Sequence, residues 1–260
     1  MGTTKHNYVG LQLLRHLVGE KGLNIFTLEH AQEAAKKLHI RASYVTELLH
    51  YLHKEGWIRR LKTGLYAVKS ESGLGTTPHE YEIATALVSP CAISHWTAMH
   101  YHHLTQQIPN KVFALTPTGT AIPRSVDKKH YQYVQVKPDR YFGFQKVWVE
   151  QSQILITDVE RTLLDGLMAP QHCGDFQEVL YAFKLAKGNI NLEKLIHYAL
   201  KLDIAVMKRL GWILEHQNYS NSYLAKLLSV PIKGYRKLDP SRPASGPYDK
   251  KWMIRENLGG

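Results

Sequence analysis

Apolar residues recur at helical spacing in the first 56 positions and predict three helices. The first covers residues 6–18. The second covers residues 28–38, where Thr27 can cap the start and acidic residues precede lysines, as the helix dipole favours. The third covers residues 41–56 and ends at Gly56. The apolar positions of the first and third helices are Val9, Leu13, Leu14, Leu17, Val45, Leu48, Leu49 and Leu52.

A β-hairpin is predicted directly after the third helix. Residues 57–61 and 65–68 have the composition of strands, and they flank Lys62, Thr63 and Gly64, where glycine suits a tight turn. Three helices followed by a hairpin are typical of a winged helix-turn-helix. In that fold the second helix braces the third in the DNA major groove. We therefore predict a DNA-binding domain over residues 1–70.

The rest of the chain mixes helical and strand patterns and predicts an α+β fold. Small polar residues and glycines predict a linker at 71–77, followed by a second domain over 78–260 with a small sheet and a helical C-terminal half. The tail, 231–260, contains four prolines and is expected to hold little regular structure over the surface of this domain. Helices are predicted at 78–88, 94–103, 158–168, 175–186, 191–201, 204–217 and 221–228, and strands at 111–116, 131–136, 144–150 and 154–156.

Positive charge is concentrated at the two ends of the chain. The formal net charge is +11; residues 1–70 contribute +6 and residues 231–260 contribute +4, so the middle is nearly neutral. A basic balance of this size favours a polyanionic partner. Seven basic residues of the tail are candidates for extending a DNA or RNA contact, or for keeping the surface soluble. They are Lys233, Arg236, Lys237, Arg242, Lys250, Lys251 and Arg255.

Composition excludes several classes of protein. With 44% hydrophobic and 21% charged residues the chain has the composition of a folded globular protein. It has no apolar run long enough to span a membrane, and its first residues do not resemble a secretory signal. Two cysteines, Cys91 and Cys173, cannot form a disulfide framework, so a cytoplasmic location is expected.

The outer face of the third helix and the hairpin supply the candidate DNA contacts. Arg41 could bind a guanine edge or a phosphate, and Ser43 and Tyr44 suit phosphate oxygens. Glu47 would repel phosphate, although it could accept a hydrogen bond from a cytosine amino group. The alternative is a winged helix that contacts another protein. The predicted interface residues are Arg41, Ser43, Tyr44, Thr46, Glu47, His50, Arg59, Arg60, Lys62 and Thr63.

Two clusters in the second domain invite a chemical interpretation. Cys91 and the histidines from His95 to His103 are metal-ligand types, but their spacing is no standard zinc pattern, and packed or exposed histidines are favoured. Asp158 and Glu160 could serve a metal-dependent nuclease, but no lysine stands at a convincing position beside them. Asp158 is more simply a helix cap, and Asp165 could form a surface ion pair with the arginine four residues before it.

Three segments of the second domain resemble blocks of the AbiEi family of antitoxins and transcriptional regulators. Residues 93–105 resemble the block S-x-W-x-A-L-x-x-H-G-L-T, with His103 where glycine is usual, which leaves the form of that turn open. Residues 111–116 resemble the strand that follows, and residues 156–167 resemble the block ER-x-LLD. We call six residues of these blocks the motif residues. They are Ser94, Trp96, Asp158, Glu160, Arg161 and Asp165.

The resemblance covers nearly the whole chain and implies a function. It implies an autorepressor of a type IV toxin–antitoxin operon that binds inverted repeats in its own promoter, within abortive infection against phage. It also implies a nucleotidyltransferase-fold toxin that is counteracted without a stable complex. We expect no catalysis, no cofactor and no metal, while a nuclease in the second domain and direct binding of the toxin stay open. The oligomeric state is also open, because inverted repeats suit a dimer or two adjacent monomers.

Overall fold

The chain folds into two compact units of α+β structure. The computed structural model describes residues 2–119, 125–126 and 128–259, and among these it contains ten α-helices and three small sheets. The α+β class predicted from the sequence is therefore confirmed. The described residues of the first unit are 2–89 and 125–126, and those of the second are 90–119 and 128–259.

The first unit combines four helices with a three-stranded sheet. The third strand, β3, lies between the other two and pairs with both in the antiparallel direction. The sequence pattern missed β1, which has only three residues. A π-helical turn at His16–Glu20 extends the first helix. The elements are α1 (Gly2–Arg15), β1 (Ile25–Thr27), α2 (Leu28–Lys37), α3 (Ala42–Lys54), β2 (Ile58–Lys62), β3 (Leu65–Val68) and α4 (Glu80–Leu87).

Helices α1, α2 and α3 enclose an apolar core against this sheet. The predicted stripe of α3 is buried, and a Cβ atom at Gly10 of α1 would lie 2.8 Å from Leu52, so the two helices approach closely at this glycine. Thr27 caps α2 as predicted, since its hydroxyl accepts a hydrogen bond from the His30 amide. The core side chains include Leu13, Leu14, Leu17, Phe26, Ala31, Val45, Leu48, Leu49, Leu52, Ile58 and Val68.

Residues 71–77, predicted to be a linker, instead lie on the body of the first unit. The side-chain amide of Asn24 donates to the Thr76 hydroxyl at 3.2 Å, and Leu74 packs against the apolar core. Gly75 fits because a Cβ atom there would lie 2.7 Å from the Asn24 side chain. Small residues in this segment thus permit close packing. The boundary between the two units falls after residue 89.

The second unit begins with a sheet whose strands run in mixed directions. Its strands occur in the order β7-β5-β4-β9-β8, with parallel pairs β5–β7 and β4–β9 and antiparallel pairs β4–β5 and β8–β9. The sequence pattern missed two-residue strands β4 and β6. Strand β6 (Ser125–Val126) belongs to the residues of the first unit. The elements of the second unit up to the end of the sheet are β4 (Ala92–Ile93), α5 (His95–Tyr101), β5 (Lys111–Thr116), β7 (Lys129–Gln135), β8 (Phe144–Val149) and β9 (Ser152–Thr157).

Five helices follow the sheet in the positions that the sequence predicts. They pack around a large apolar core that includes Leu163, Leu164, Leu167 and Phe183. Within the described ranges, no helix combines the length and the apolar character that crossing a membrane requires. The helices are α6 (Val159–Met168), α7 (Phe176–Ala186), α8 (Leu192–Leu200), α9 (Ile204–His216) and α10 (Asn221–Leu228).

The tail is more ordered than its prolines suggest. Three two-residue strands, β10 (Arg236–Lys237), β11 (Tyr248–Asp249) and β12 (Ile254–Arg255), form a small sheet. Trp252 is fully buried over Gly211 of α9, where a Cβ atom would lie 2.0 Å from the indole ring. The tail therefore completes the helical core.

Candidate nucleic-acid interface

Helix α3 buries one face and exposes the other, as predicted. The side chains from Val45 to Leu52 that form the apolar stripe are at most 1% exposed. Arg41 holds the position before the first turn with an extended backbone and makes no side-chain cap. The predicted interface residues Arg41, Ser43, Thr46, Glu47 and His50 are exposed, and Tyr44 is half-buried.

Glu47 has a partner on α1 that the sequence pattern did not identify. The His6 Nε2 atom lies 3.2 Å from the Glu47 carboxylate. The His6 ring also lies 5.4 Å from the Tyr44 ring and 5.2 Å from the Tyr51 ring, measured between centroids. A protonated His6 would offset the acidic charge of Glu47 on this face. Burial, and then the charge of Glu47, raise the pKa of Tyr44.

The start of α3 and the neighbouring part of α1 border an open cleft of about 660 Å³. The side chains of Arg41, Ser43, Tyr44 and Glu47 all line it, so the fold brings four of the predicted interface residues together. On the α1 side the cleft is lined by His6, Val9 and Gln12. A groove with an arginine, a hydroxyl and an aromatic ring at a helix start offers hydrogen-bond donors to an anionic ligand.

The hairpin places Arg60 and Thr63 next to each other. The Arg60 guanidinium donates to the Thr63 hydroxyl at 3.0 Å, and both residues are exposed. Gly64 has φ of +74°, a conformation that side chains with a Cβ atom rarely adopt. Arg59 is half-buried in β2. Arg60 is therefore an exposed hairpin cation that can contact a phosphate.

Lys62 has a structural partner that the sequence did not predict. Its ammonium group donates to the Leu87 carbonyl at 2.7 Å, at the last residue of α4. Because the C-terminal end of a helix carries partial negative charge, a lysine there is stabilising. Lys62 thus holds α4 to the hairpin within the first unit.

Among the motif residues, Ser94 does not cap its helix. Its hydroxyl lies 2.8 Å from Nδ1 of His95 instead, and both residues are buried. His95 adopts φ of +51°. Burial, followed by the nearby His172 and Arg161, lowers the pKa of His95 to about 3. This histidine is therefore neutral at physiological pH.

The turn after α5 keeps a left-handed conformation. His103 has φ of +58° and stands where the resembled block usually has glycine. This chain therefore has histidine instead of glycine at position 103, but the backbone there adopts a conformation that glycine favours.

Trp96 is half-buried and packs against the core. Its indole Nε1 atom is buried and has no hydrogen-bond partner in the described part of the chain.

Asp158 and Glu160 lie beside Lys194 of α8. Asp158 caps α6 as predicted, accepting from the Arg161 amide at 2.9 Å. The Lys194 ammonium lies 3.1 Å from Asp158 and 2.8 Å from Glu160. Burial raises the pKa of Glu160, but hydrogen bonds from Lys194 and the Asn191 amide outweigh burial and lower it overall. Tyr198 also donates to Asp158, so both carboxylates are already satisfied by protein donors.

Arg161 and Asp165 form a fully buried ion pair, which corrects the prediction of a surface pair. The Arg161 Nε atom donates to Asp165 at 2.8 Å, and both side chains are 0% exposed. Helical spacing predicted the pairing but not the burial, because the segment before β8 covers Arg161: a Cβ atom at Gly143 would lie 2.8 Å from its side chain. The guanidinium also donates to the Arg140 carbonyl at 2.9 Å and lies over the Phe142 ring. Burial raises the pKa of Asp165 despite the charge of Arg161.

The remaining candidate groups are the metal-ligand types and the two cysteines. In the described part of the chain, no three His, Cys, Asp or Glu side chains are grouped so that they could hold a metal ion. Cys91 and Cys173 are buried free thiols, and burial raises the pKa of Cys91 to about 12. The Nε2 atom of His102 donates to the Thr157 backbone carbonyl at 2.7 Å.

Sequence reasoning missed the partners of the motif residues. Lys194, Asn191 and Tyr198 lie more than 30 residues beyond Asp158, and no spacing pattern links them to it. The caps were detectable because they are local. Helix α8, by contrast, contacts the motif through tertiary packing alone.

Comparisons with known proteins bear on the fold. No protein-family model matches the chain, and no curated protein matches its sequence. Among solved structures, the chain is similar to the crystal structure of the RV2827C protein from Mycobacterium tuberculosis, with a TM-score of 0.66 and 10% sequence identity. The match covers 94% of this chain and 89% of that one. At this identity the likeness concerns the fold alone, and it extends over nearly the whole of both chains.

Proposed function

We propose that the chain is a DNA-binding transcriptional regulator whose first unit is a winged helix-turn-helix. The observation that carries the proposal is the element order α1-β1-α2-α3-β2-β3 with a sheet of order β1-β3-β2, in which α3 exposes a polar face and β2 and β3 form a basic hairpin. In that fold the exposed helix reads the major groove. The hairpin would then contact the flanking backbone.

The proposed contacts differ in their roles. Arg41, at the start of α3 and on the cleft, is positioned for a base edge or a phosphate. Arg60 is positioned for the phosphate backbone, where each neutralised phosphate steepens the salt dependence of binding. Lys62 can contribute long-range charge while it holds Leu87. Glu47 enters the interface together with His6.

The biological context of the proposal comes from the family resemblance. We propose an autorepressor and antitoxin that acts in the cytoplasm, binds promoter inverted repeats and opposes a nucleotidyltransferase-fold toxin without a stable complex. The left-handed turn at His103, where the family block has glycine, supports it. Because most motif residues are buried in the second unit, they would maintain that unit rather than contact a partner.

The proposal includes no catalysis in the second unit. A metal-dependent nuclease would need carboxylate oxygens free to bind a cation. Asp158 and Glu160 instead accept hydrogen bonds from Lys194, Tyr198 and two backbone amides. Magnesium-dependent cleavage of DNA or RNA that is lost in Asp158→Asn would contradict this part of the proposal.

The central test is fluorescence anisotropy of the full chain with the DNA upstream of its own gene. Shuffled DNA of equal length is the competitor, and both are titrated over a salt series. A strong preference for the native promoter is the expected result. Equal affinity for both DNAs, lost together with salt, would show that charge alone drives binding and would favour a protein-contact module.

Two variants separate the proposed contacts. Arg60→Ala should weaken binding to native and shuffled DNA equally. It should also reduce the slope of log affinity against log salt concentration by about 1. Arg41→Ala should cost about 1–3 kcal/mol on the native promoter and less on shuffled DNA if it reads a base. Lys36→Ala, which removes an exposed charge from α2, is the matched control and should change neither value. Equal losses on both DNAs in Arg41→Ala would assign Arg41 to the backbone.

The antitoxin role needs a separate test. Co-expression with the product of the neighbouring gene should restore growth if that product is the toxin. Co-purification of the two proteins would favour direct toxin binding over the proposed mechanism. A growth defect that the full chain does not relieve would contradict the antitoxin role and leave promoter binding untouched.

A further inference from the structure

The small sheet of the tail aligns basic and aromatic side chains on one face. In the sheet, Lys237 is opposite Arg255, and Arg255 is opposite Tyr248. Residues that are directly opposite in neighbouring strands project from the same face. Tyr235, two residues before Lys237, shares that face, and its ring lies 4.5 Å from the Tyr248 ring. We call Tyr235, Lys237, Tyr248 and Arg255 the tyrosine face.

The two aromatic rings of this face are accessible to a ligand. Tyr248 is 53% exposed and Tyr235 is 38% exposed. The Arg255 guanidinium carbon lies 5.0 Å from the centre of the Tyr248 ring. The Nε atom of Arg255 is buried, and an arginine that lies over an aromatic ring can still donate from its terminal N–H groups to a phosphate.

The opposite face of the same sheet packs partly against the helical core. Ile254 lies there and is fully buried in the helical core, as is Trp252 just before it. Arg236, which is opposite Ile254, belongs to this second face and is exposed at the start of β10. On the tyrosine face, Tyr235 and Tyr248 are exposed, whereas Lys237 and Arg255 are half-buried and the Lys237 ammonium donates to the Arg242 carbonyl at 2.6 Å.

The electrostatics of the tail favour an anionic partner. Its three acidic side chains are occupied internally: Asp239 accepts from Ser241, Asp249 from the Trp252 amide and Glu256 from the Trp212 indole. Two further cations, Lys233 two residues before Tyr235 and Lys250 two residues after Tyr248, are exposed.

We propose that the tyrosine face binds single-stranded nucleic acid. Exposed aromatic rings stack on unpaired bases, while neighbouring lysines and arginines follow the phosphates. A duplex keeps its bases stacked on each other, so it could use the charges but not the rings. The surface is distinct from α3 and the hairpin, and the proposal does not rest on the promoter binding proposed above.

The test uses the full chain and fluorescein-labelled oligouridylate and oligothymidylate of about 12 nucleotides, a length within the range that one such surface covers. Both should bind in low salt. Tyr248→Ala should weaken binding about 10-fold, whereas Tyr248→Phe, which keeps the ring, should stay within about twofold of the unaltered chain. Trp148→Ala, a substitution at an aromatic residue that is 68% exposed on β8, is the matched control and should have no effect.

Each outcome has a defined meaning. Tighter binding of RNA than of DNA would support the proposal and identify the 2′-hydroxyl as a recognised group, and equal binding would support it with stacking and phosphates as the shared chemistry. Absence of binding to either strand would overturn it, as would an equal loss in Trp148→Ala. If Tyr248→Ala weakened promoter duplex as much as the single strands, the face would be an extension of the duplex contact and the proposal would be wrong. Circular dichroism confirms that each variant is folded.

Discussion

The two units of this chain differ in where they place polar groups. Among the described residues of the first unit, His16 is the one buried polar side chain, and the core is otherwise aliphatic and aromatic. The second unit buries a whole set of charged groups, including Glu160, Arg161, Asp165 and Arg209. The charges of the first unit are therefore directed outward, and many charges of the second serve its own structure.

This difference shows how a sequence motif should be interpreted. Two of the motif residues, Arg161 and Asp165, are inaccessible to solvent. They pair with each other, and Arg161 also links helix α6 to the Arg140 carbonyl. Arg209 is similar, since it donates to the carbonyls of Leu167 and Lys237. Buried residues that the fold needs do not mark the surface that acts on a partner.

The largest expected effect follows from breaking the buried pair. Arg161→Ala should lower the free energy of unfolding by about 3–5 kcal/mol, because Asp165 would be left buried without its partner. Urea denaturation followed by tryptophan fluorescence measures this, since four of the five tryptophans lie in the second unit.

A double substitution provides the control for that experiment. Replacing both partners with apolar residues, Arg161→Met with Asp165→Leu, should restore much of the lost stability because no charge is left unpaired. If Arg161→Ala lowered the free energy of unfolding by less than about 1 kcal/mol, the buried ion pair would not stabilise the second unit as expected.

An intermediate effect is expected for His95 as the pH is lowered. Its folded-state pKa of about 3 lies below the ordinary value of 6.5, so the unfolded chain binds a proton that the native chain does not. Stability should therefore fall as pH decreases from about 6.5 towards 3, with up to about 1.4 kcal/mol per pH unit due to this group. In His95→Asn, which tolerates the left-handed backbone, the slope should be shallower by roughly that amount.

His39→Asn is the matched control for the pH experiment. His39 also has a left-handed backbone, with φ of +55°, but it is exposed in the first unit. Its substitution should leave the slope as it is in the unaltered chain. Parallel stability curves for His95→Asn and the unaltered chain would show that burial of His95 does not govern the pH dependence.

The smallest expected effect is in the first unit. Arg60→Ala should change the free energy of unfolding by less than about 0.5 kcal/mol, because the residue is exposed and donates only to Thr63. Thermal or urea denaturation of the same preparation used for DNA titration gives this value. A loss well above 1 kcal/mol would mean that the hairpin arginine is structural and would weaken the contrast between the two units.

Sequence patterns predicted the helices and longer strands because their signals are local. The stripe of α3 and the caps at Thr27 and Asp158 depend on residues a few positions apart. Strand β1 was missed because its three residues are stabilised by β3, about 40 positions later. The tail strands were missed for the same reason, since their partners are set by tertiary contacts.

The candidate interface shows the same limit. Exposure of Ser43, Thr46 and His50 follows from the helical period and could be predicted. The contact of Glu47 with His6, and that of Lys62 with Leu87, could not, because each joins elements that are separated along the chain. Periodicity predicts which face of a helix is solvent-facing, and tertiary packing determines which neighbouring element meets it.

The insertion of Trp252 over Gly211 has a consequence for protein synthesis. While a ribosome is still translating the codons before position 252, the notch at Gly211 in α9 is unfilled and the apolar surface around it is uncovered. Helices α1 to α3 and their hairpin are complete some 180 residues earlier, so the first unit can fold on the nascent chain. The second unit completes its core only after Trp252 has been synthesised. Until then its exposed apolar surface can bind chaperones or aggregate.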